Sequence, residues 1–223
     1  MTVGPGEIFR VGPSAVEPPG TLDLDVDNAL NSMLTELNDR FGEQGAVLTR
    51  SSSIHGALVD AADDEVVRLL PGRYRLQGTI EVADPVTIRG IGTVRIVSDG
   101  TAFQVTGTGV TIENITFVQT ETTETKTISL EGTYGAVNNC TFVGTQTNAV
   151  LVSGNNCFVR NCRFNPDTDQ SSADADLYWG DGADDGVAVG NMWSTERGYV
   201  ISYKSGTDFT QAANAKAAAI QAR

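Results

Sequence analysis

The densest set of groups able to do chemistry is a run of carboxylates, Asp174, Asp176, Asp181, Asp184 and Asp185, interspersed with Tyr178 and Trp179. Carboxylate and backbone oxygens are the ligands calcium takes, and neighbouring aromatic faces can stack on a sugar ring. The segment is therefore a candidate Ca²⁺ or other cation site, with a solvated acidic loop as the plain alternative. Its spacing matches neither the EF-hand loop nor a regular Gly-Asp calcium repeat. A second group, Glu113, Glu121, Glu124 and Glu131, falls on outward strand positions and a Thr-rich loop and reads as surface. Glycoside hydrolysis needs two carboxyl groups about 5.5 Å or about 6.5–9.5 Å apart in a groove, and no such pair falls on adjacent inward-facing positions. No catalytic residue is assigned, and no cofactor is expected beyond the candidate cation. The one histidine, His55, sits on a predicted helix, where a surface or capping role is the simple reading. Three cysteines without a CxxC pair offer neither a disulfide framework nor a zinc site.

The elements that must position these groups emerge when five segments are superposed. They are Val86-Thr-Ile-Arg-Gly90-Ile-Gly-Thr93, Val110-Thr-Ile-Glu-Asn114-Ile-Thr-Phe117, Gly135-Ala-Val-Asn-Asn139-Cys-Thr-Phe142, Cys157-Phe-Val-Arg-Asn161-Cys-Arg-Phe164 and Val187-Ala-Val-Gly-Asn191-Met-Trp-Ser194. Apolar residues recur two before and one after the central Gly or Asn. Strict strand alternation would put those two on opposite faces, so both face inward only if the chain bends at the residue between them. Gly and Asn tolerate the left-handed backbone such a bend requires, which makes Gly90, Asn114, Asn139, Asn161 and Asn191 a predicted bend ladder. A third strand precedes three of the units, in Phe103 and Val105, Ile128 and Leu130, and Val150 and Val152, with Gly107, Gly132 and Gly154 in fixed register. Three strands per coil predict an all-β, right-handed, single-stranded parallel β-helix of about six coils. Equivalent side chains then stack at about 4.8 Å. In that register Cys140 and Cys162 are buried rung neighbours, thiols rather than a disulfide, while Trp193 should point outward into an interface or onto a glycan.

The composition divides the chain around this repeat. Residues 1–20 hold four of the seven prolines and read as an extended arm. Within residues 24–41, Leu30, Met33, Leu37 and Phe41 recur at helical spacing and form a candidate interface, either a short coiled coil or an amphipathic helix docked on a partner. A serine among Ser51, Ser52 and Ser53 caps a second helix through Ile54 and Leu58. The Ala-rich residues 208–223, after Thr207 and Asp208, read as a third helix that caps the repeat. The expected organisation is an arm and anchoring helix over residues 1–45, a β-helix over 46–206 and a C-terminal helix over 207–223.

Fifteen basic against 28 acidic residues leave a charge of −13, which repels phosphate backbones and excludes a nucleic-acid partner. No apolar stretch reaches the roughly 20 residues of a membrane helix, so no membrane partner is expected. Asp outnumbers Glu and Arg outnumbers Lys, a bias shared by proteins of salt-loving organisms, with a merely acidic mesophilic protein as the alternative.

The helix at residue 54, the Leu70-Pro71-Gly72-Arg73-Tyr74 turn, the Thr79-Ile80-Glu81-Val82 strand and Val86-Thr-Ile-Arg-Gly90 together resemble the opening of the pectate-lyase-like β-helix superfamily. The likeness spans roughly residues 50–205. It implies the fold, and it leaves activity open among polysaccharide lyases, glycoside hydrolases and the often trimeric spikes and tailspikes of tailed viruses. The lyase motif Trp-Ile-Asp-His is absent. With the arm-plus-helix layout, the resemblance implies a non-enzymatic virion protein assembled in the host cytoplasm: a homotrimeric spike or decoration on the head or tail of a tailed virus. Such a protein would contact other virion proteins through residues 1–45 and, in some cases, a host surface glycan. The alternatives are a polysaccharide lyase or depolymerase and a carbohydrate-binding β-helix without turnover.

Overall fold

The computed structural model describes residues 47–48, 53–120, 126–144, 148–165, 176–180, 182–193, 201–203, 209–212 and 215–216. The chain divides into two units, Met1–Glu43 and Gln44–Arg223, and every described residue lies in the second. The candidate interface residues Leu30, Met33, Leu37 and Phe41 fall outside the described residues.

Short β-branched strands alternate buried and outward residues, and each coil places successive strands in three different sheets. Among the described residues these sheets hold eight, seven and six strands, and each strand inside a sheet pairs with its equivalent one coil earlier and one coil later. The fold is an all-β parallel β-solenoid. Parallel register turns sequence repeats into rows. In the first sheet the inward row is Val67, Ile88, Ile112, Val137, Val159 and Ala188. In the second it is Tyr74, Ile96, Phe117, Phe142, Phe164 and Trp193. In the third it is Ile80, Phe103, Ile128, Val150 and Leu177. All these residues are buried and join one continuous core. The aromatic row stacks: Phe117 on Phe142 at 5.3 Å, Phe142 on Phe164 at 5.2 Å and Phe164 on Trp193 at 5.0 Å between ring centroids. Strand spacing imposes these separations, which lie in the favourable range for offset stacking.

The corners explain the small residues of the repeat. Asn114, Asn139 and Asn161 occupy the left-handed region with φ of 59°, 52° and 55°. At the corner that follows the third-sheet strands the chain backbones approach so closely that a Cβ on Gly132 would lie 1.9 Å from the Gly107 carbonyl oxygen, and one on Gly154 would lie 1.9 Å from that of Gly132. The open N-terminal end is covered by a seven-residue helix, α1 (Ile54–Asp60), whose Ser53 cap accepts a hydrogen bond from the Gly56 amide. Ile54 and Leu58, one turn apart, bury against the core.

The structure corrects the sequence reading at three places. Gly90 pairs beside Asn114 but is not left-handed; the corner there is longer, and Gly92 takes φ 68°. That lengthening leaves Ile91 39% exposed and puts Val94 in the core instead. In the last repeat the bend falls on Gly190 (φ 68°), not on Asn191. The one-residue slip reverses every side chain after it: Met192 turns outward at 41% exposure, and Trp193, expected to be an exposed contact, is 3% exposed at the end of the aromatic row. Finally, part of the expected C-terminal helix is strand. Phe209–Ala212 adds to the first sheet and Ala215–Lys216 to the second. The unpaired backbone groups of the last coil outweigh the modest helix preference of alanine.

Candidate functional site

Of the carboxylates singled out by spacing, Asp176, Asp184 and Asp185 are described, and these three do not gather as a metal site. Asp174 and Asp181 lie outside the described residues. Asp176 is buried beside the start of the Leu177–Trp179 strand, and its carbonyl accepts hydrogen bonds from the Ala149 and Val150 amides at 2.7 and 3.0 Å. Asp184 and Asp185 are exposed in the turn that follows that strand. There the Asp184 amide donates to Asn155 Oδ1 at 2.9 Å, the Asp184 carbonyl accepts from the Asn156 amide, and Asp185 is left-handed at φ 54°. Among the described residues no three His, Cys, Asp or Glu side chains gather as a metal site. Tyr178 is half-buried and Trp179 is fully buried, so Trp179 serves the core and not a sugar face.

The other carboxylates are held by neighbours on the next coil. Glu113 pairs with Arg89 across the first sheet. Glu131 accepts from Gln104 Nε2 and from Ser129 Oγ at 2.9 Å. Glu121 and Glu124 lie outside the described residues.

The polar groups inside the solenoid are matched to its corners. Asn191, displaced from the bend, occupies the rung position of Cys162 and Cys140 and is fully buried. Its Oδ1 accepts from the Cys162 amide and its Nδ2 donates to the Val159 carbonyl, each at 2.9 Å. Cys140, Cys157 and Cys162 are free and buried, and their thiols donate to main-chain carbonyls; Cys157 Sγ reaches Gly132 O at 3.3 Å. Burial pushes the Cys157 thiol up to about 11 and the Cys162 thiol up to about 12. Cys140 is raised well above the ordinary value by burial and by the neighbouring Cys162. A nucleophilic or metal-binding thiolate requires the opposite shift.

The outer surface carries two kinds of row. In the middle of the second sheet, outward positions are short and half-buried: Thr116 beside Thr141, and Val118 beside Val143. At its N-terminal end the same face carries Arg73, Arg75 and Arg95. Beside Arg75 opens a pocket of about 360 Å³, lined by Ser53, His55, Gln77 and Thr79 with an apolar wall of Tyr74 and Ile80. Sequence spacing did not disclose this pocket, because helix α1 and the second and third sheets meet there only through the fold.

No protein-family profile and no curated protein matches the chain. Among solved structures, a protein assigned to the glycosyl hydrolases of Parabacteroides merdae aligns with 85% of this chain and 88% of its own, at 8% identity and a TM-score of 0.38. The pectin methylesterase of Aspergillus niger aligns with 78% of this chain and 86% of its own, at 14% identity and a TM-score of 0.38. At such scores the likeness adds no argument about activity, and the assignment to the parallel β-solenoids stands on the strand register.

Proposed function

We propose that the chain is a structural, non-enzymatic virion protein: a homotrimeric β-helix spike or decoration on the head or tail of a tailed virus, anchored through residues 1–45. The observation that supports this reading is the middle of the second sheet's outward face, where Thr116 and Thr141, and Val118 and Val143, lie in register and half-buried. Short side chains in straight rows let identical rods approach laterally, and cyclic symmetry closes such contacts. The Pro-rich arm costs ordering entropy when fixed and carries no repeat that would join the core, so its order is taken from a partner surface.

Light scattering is expected to give a mass three times that of the chain. Deleting residues 1–20 should leave a folded oligomer that no longer enters particles. A stable monomer, a truncated protein that still incorporates, or release of reducing ends or unsaturated products from a host polysaccharide would each overturn the proposal.

A further inference from the structure

The chain is strongly acidic, yet five of its twelve arginines lie between residues 68 and 95. Arg89 is neutralised by Glu113. Arg73, Arg75 and Arg95 are not: all three are exposed, and none makes an ion pair or a side-chain hydrogen bond with a described residue. Arg73 and Arg95 are direct partners in the parallel register of the second sheet. Arg75 follows Arg73 by two residues on the same outward face. Neighbouring strands are about 4.8 Å apart and alternate residues of one strand roughly 6.6 Å apart, so three guanidinium groups share one small patch. Like charges directly opposite each other across strands repel, whereas Glu113, Glu131 and Glu81 each take a partner from an adjacent coil. A basic patch with no ion pair among the described residues, on an acidic protein, is suited to an anion from outside.

The pocket beside the patch restricts what that anion can be. Arg75 forms part of its lining, with His55, Gln77, Thr79 and Ser53 around it and Tyr74, Leu76, Ile54 and Ile80 behind. The Gln77 and Thr79 side chains are not consumed by hydrogen bonds to described residues. Ser53 Oγ accepts from Gly56 N and keeps its own proton to donate. An apolar wall with a rim of donors and acceptors fits the faces and hydroxyls of a small ring, and the guanidinium fork fits an oxyanion bidentately.

We infer that Arg73, Arg75, Arg95 and the adjoining pocket bind a monosaccharide-sized anion, a hydroxylated ring that bears a carboxylate, sulfate or phosphate. The inference rests on this corner of the fold and not on the virion reading, and it holds for a monomer as well as a trimer.

The test is calorimetric titration of the full chain with glucuronate, glucose 6-sulfate, glucose 6-phosphate and neutral glucose, at low and at raised salt. At least one anionic sugar should bind with a Kd of about 1 mM or tighter. Binding should weaken with salt, and glucose should give no heat. Comparison of the three anionic probes identifies the oxyanion. The triple variant Arg73→Gln, Arg75→Gln, Arg95→Gln should lose at least about tenfold in affinity, whereas Arg163→Gln, further along the same outward row, should bind like the parent. Should the triple variant unfold, Arg75→Gln alone should still weaken binding several-fold with an unchanged dichroism spectrum. No binding by any anionic sugar, equal binding of glucose, or an unchanged Kd in the arginine variants overturns the proposal. Inorganic sulfate binding as tightly as glucose 6-sulfate overturns it too, because the pocket would then contribute nothing.

Discussion

Asn139 carries its function in a single dihedral angle. At φ 52° a β-branched side chain is strained, while glycine is at ease. Asn139→Val should therefore cost about 1–2 kcal/mol in chemical denaturation and Asn139→Gly a few tenths; equal effects would remove the bend from its role. Gly132 is limited by space instead. A Cβ there meets the Gly107 carbonyl at 1.9 Å, so Gly132→Ala should destabilise by about 1–3 kcal/mol or more, although alanine is normally the safer residue. The three Asn bends and the three glycines were legible from sequence because each residue type answers one local demand. The fourth Asn was not. Gly190 and Asn191 are adjacent, both tolerate the left-handed region, and nothing local decides between them. Only the pairing of Phe164 with Trp193 does so. That single choice separates an exposed tryptophan from a buried one.

At the scale of the element, the aromatic row of the second sheet and the cysteine positions behind its corner should dominate stability. Phe142 is stacked on both sides, so Phe142→Ala leaves a cavity and breaks two ring contacts, at about 3–5 kcal/mol. The thiols add a pH dependence whose sign follows from burial. Cys157 and Cys162 keep their protons in the fold up to about 11 and about 12, whereas in the unfolded chain they ionise near the ordinary value of 9.0. Between those limits the unfolded state binds fewer protons than the native one. The thiols' contribution to stability should be level below pH 9 and fall as pH rises through the alkaline window, and replacing both cysteines with Ala or Val should flatten that fall. Thiol reagents at pH 8 should label the unfolded chain and spare the native one. The C-terminal strands belong to this scale as well. Alanine content suggested a helix, but Phe209–Ala212 and Ala215–Lys216 are fixed by the ladder they extend, information that propensity does not contain. The arginine patch stayed hidden for a related reason: Arg73 and Arg95 are 22 residues apart and become neighbours only through register.

For the whole molecule, the solenoid is close to one-dimensional: each coil contacts the coil before and after it, and its stability is a sum of such contacts. The core begins with Ile54 and Leu58 of α1 and runs to Trp193, and all of it lies within the unit Gln44–Arg223. The pairing of Val47–Leu48 with the Val66–Leu69 strand and the seating of α1 complete the N-terminal end from residues of that same unit. Among the described residues, the rows of buried side chains pack against one another within that unit. A chain of residues 44–223 should therefore unfold cooperatively at nearly the temperature of the full protein. A shift smaller than about 2–4 °C, the displacement that 1 kcal/mol produces at this size, meets the expectation. Loss of the transition, or a drop well beyond that range, would mean that residues 1–43 stabilise the solenoid directly. The arm would then be part of the fold instead of an attachment, and its removal could no longer serve to separate anchoring from folding.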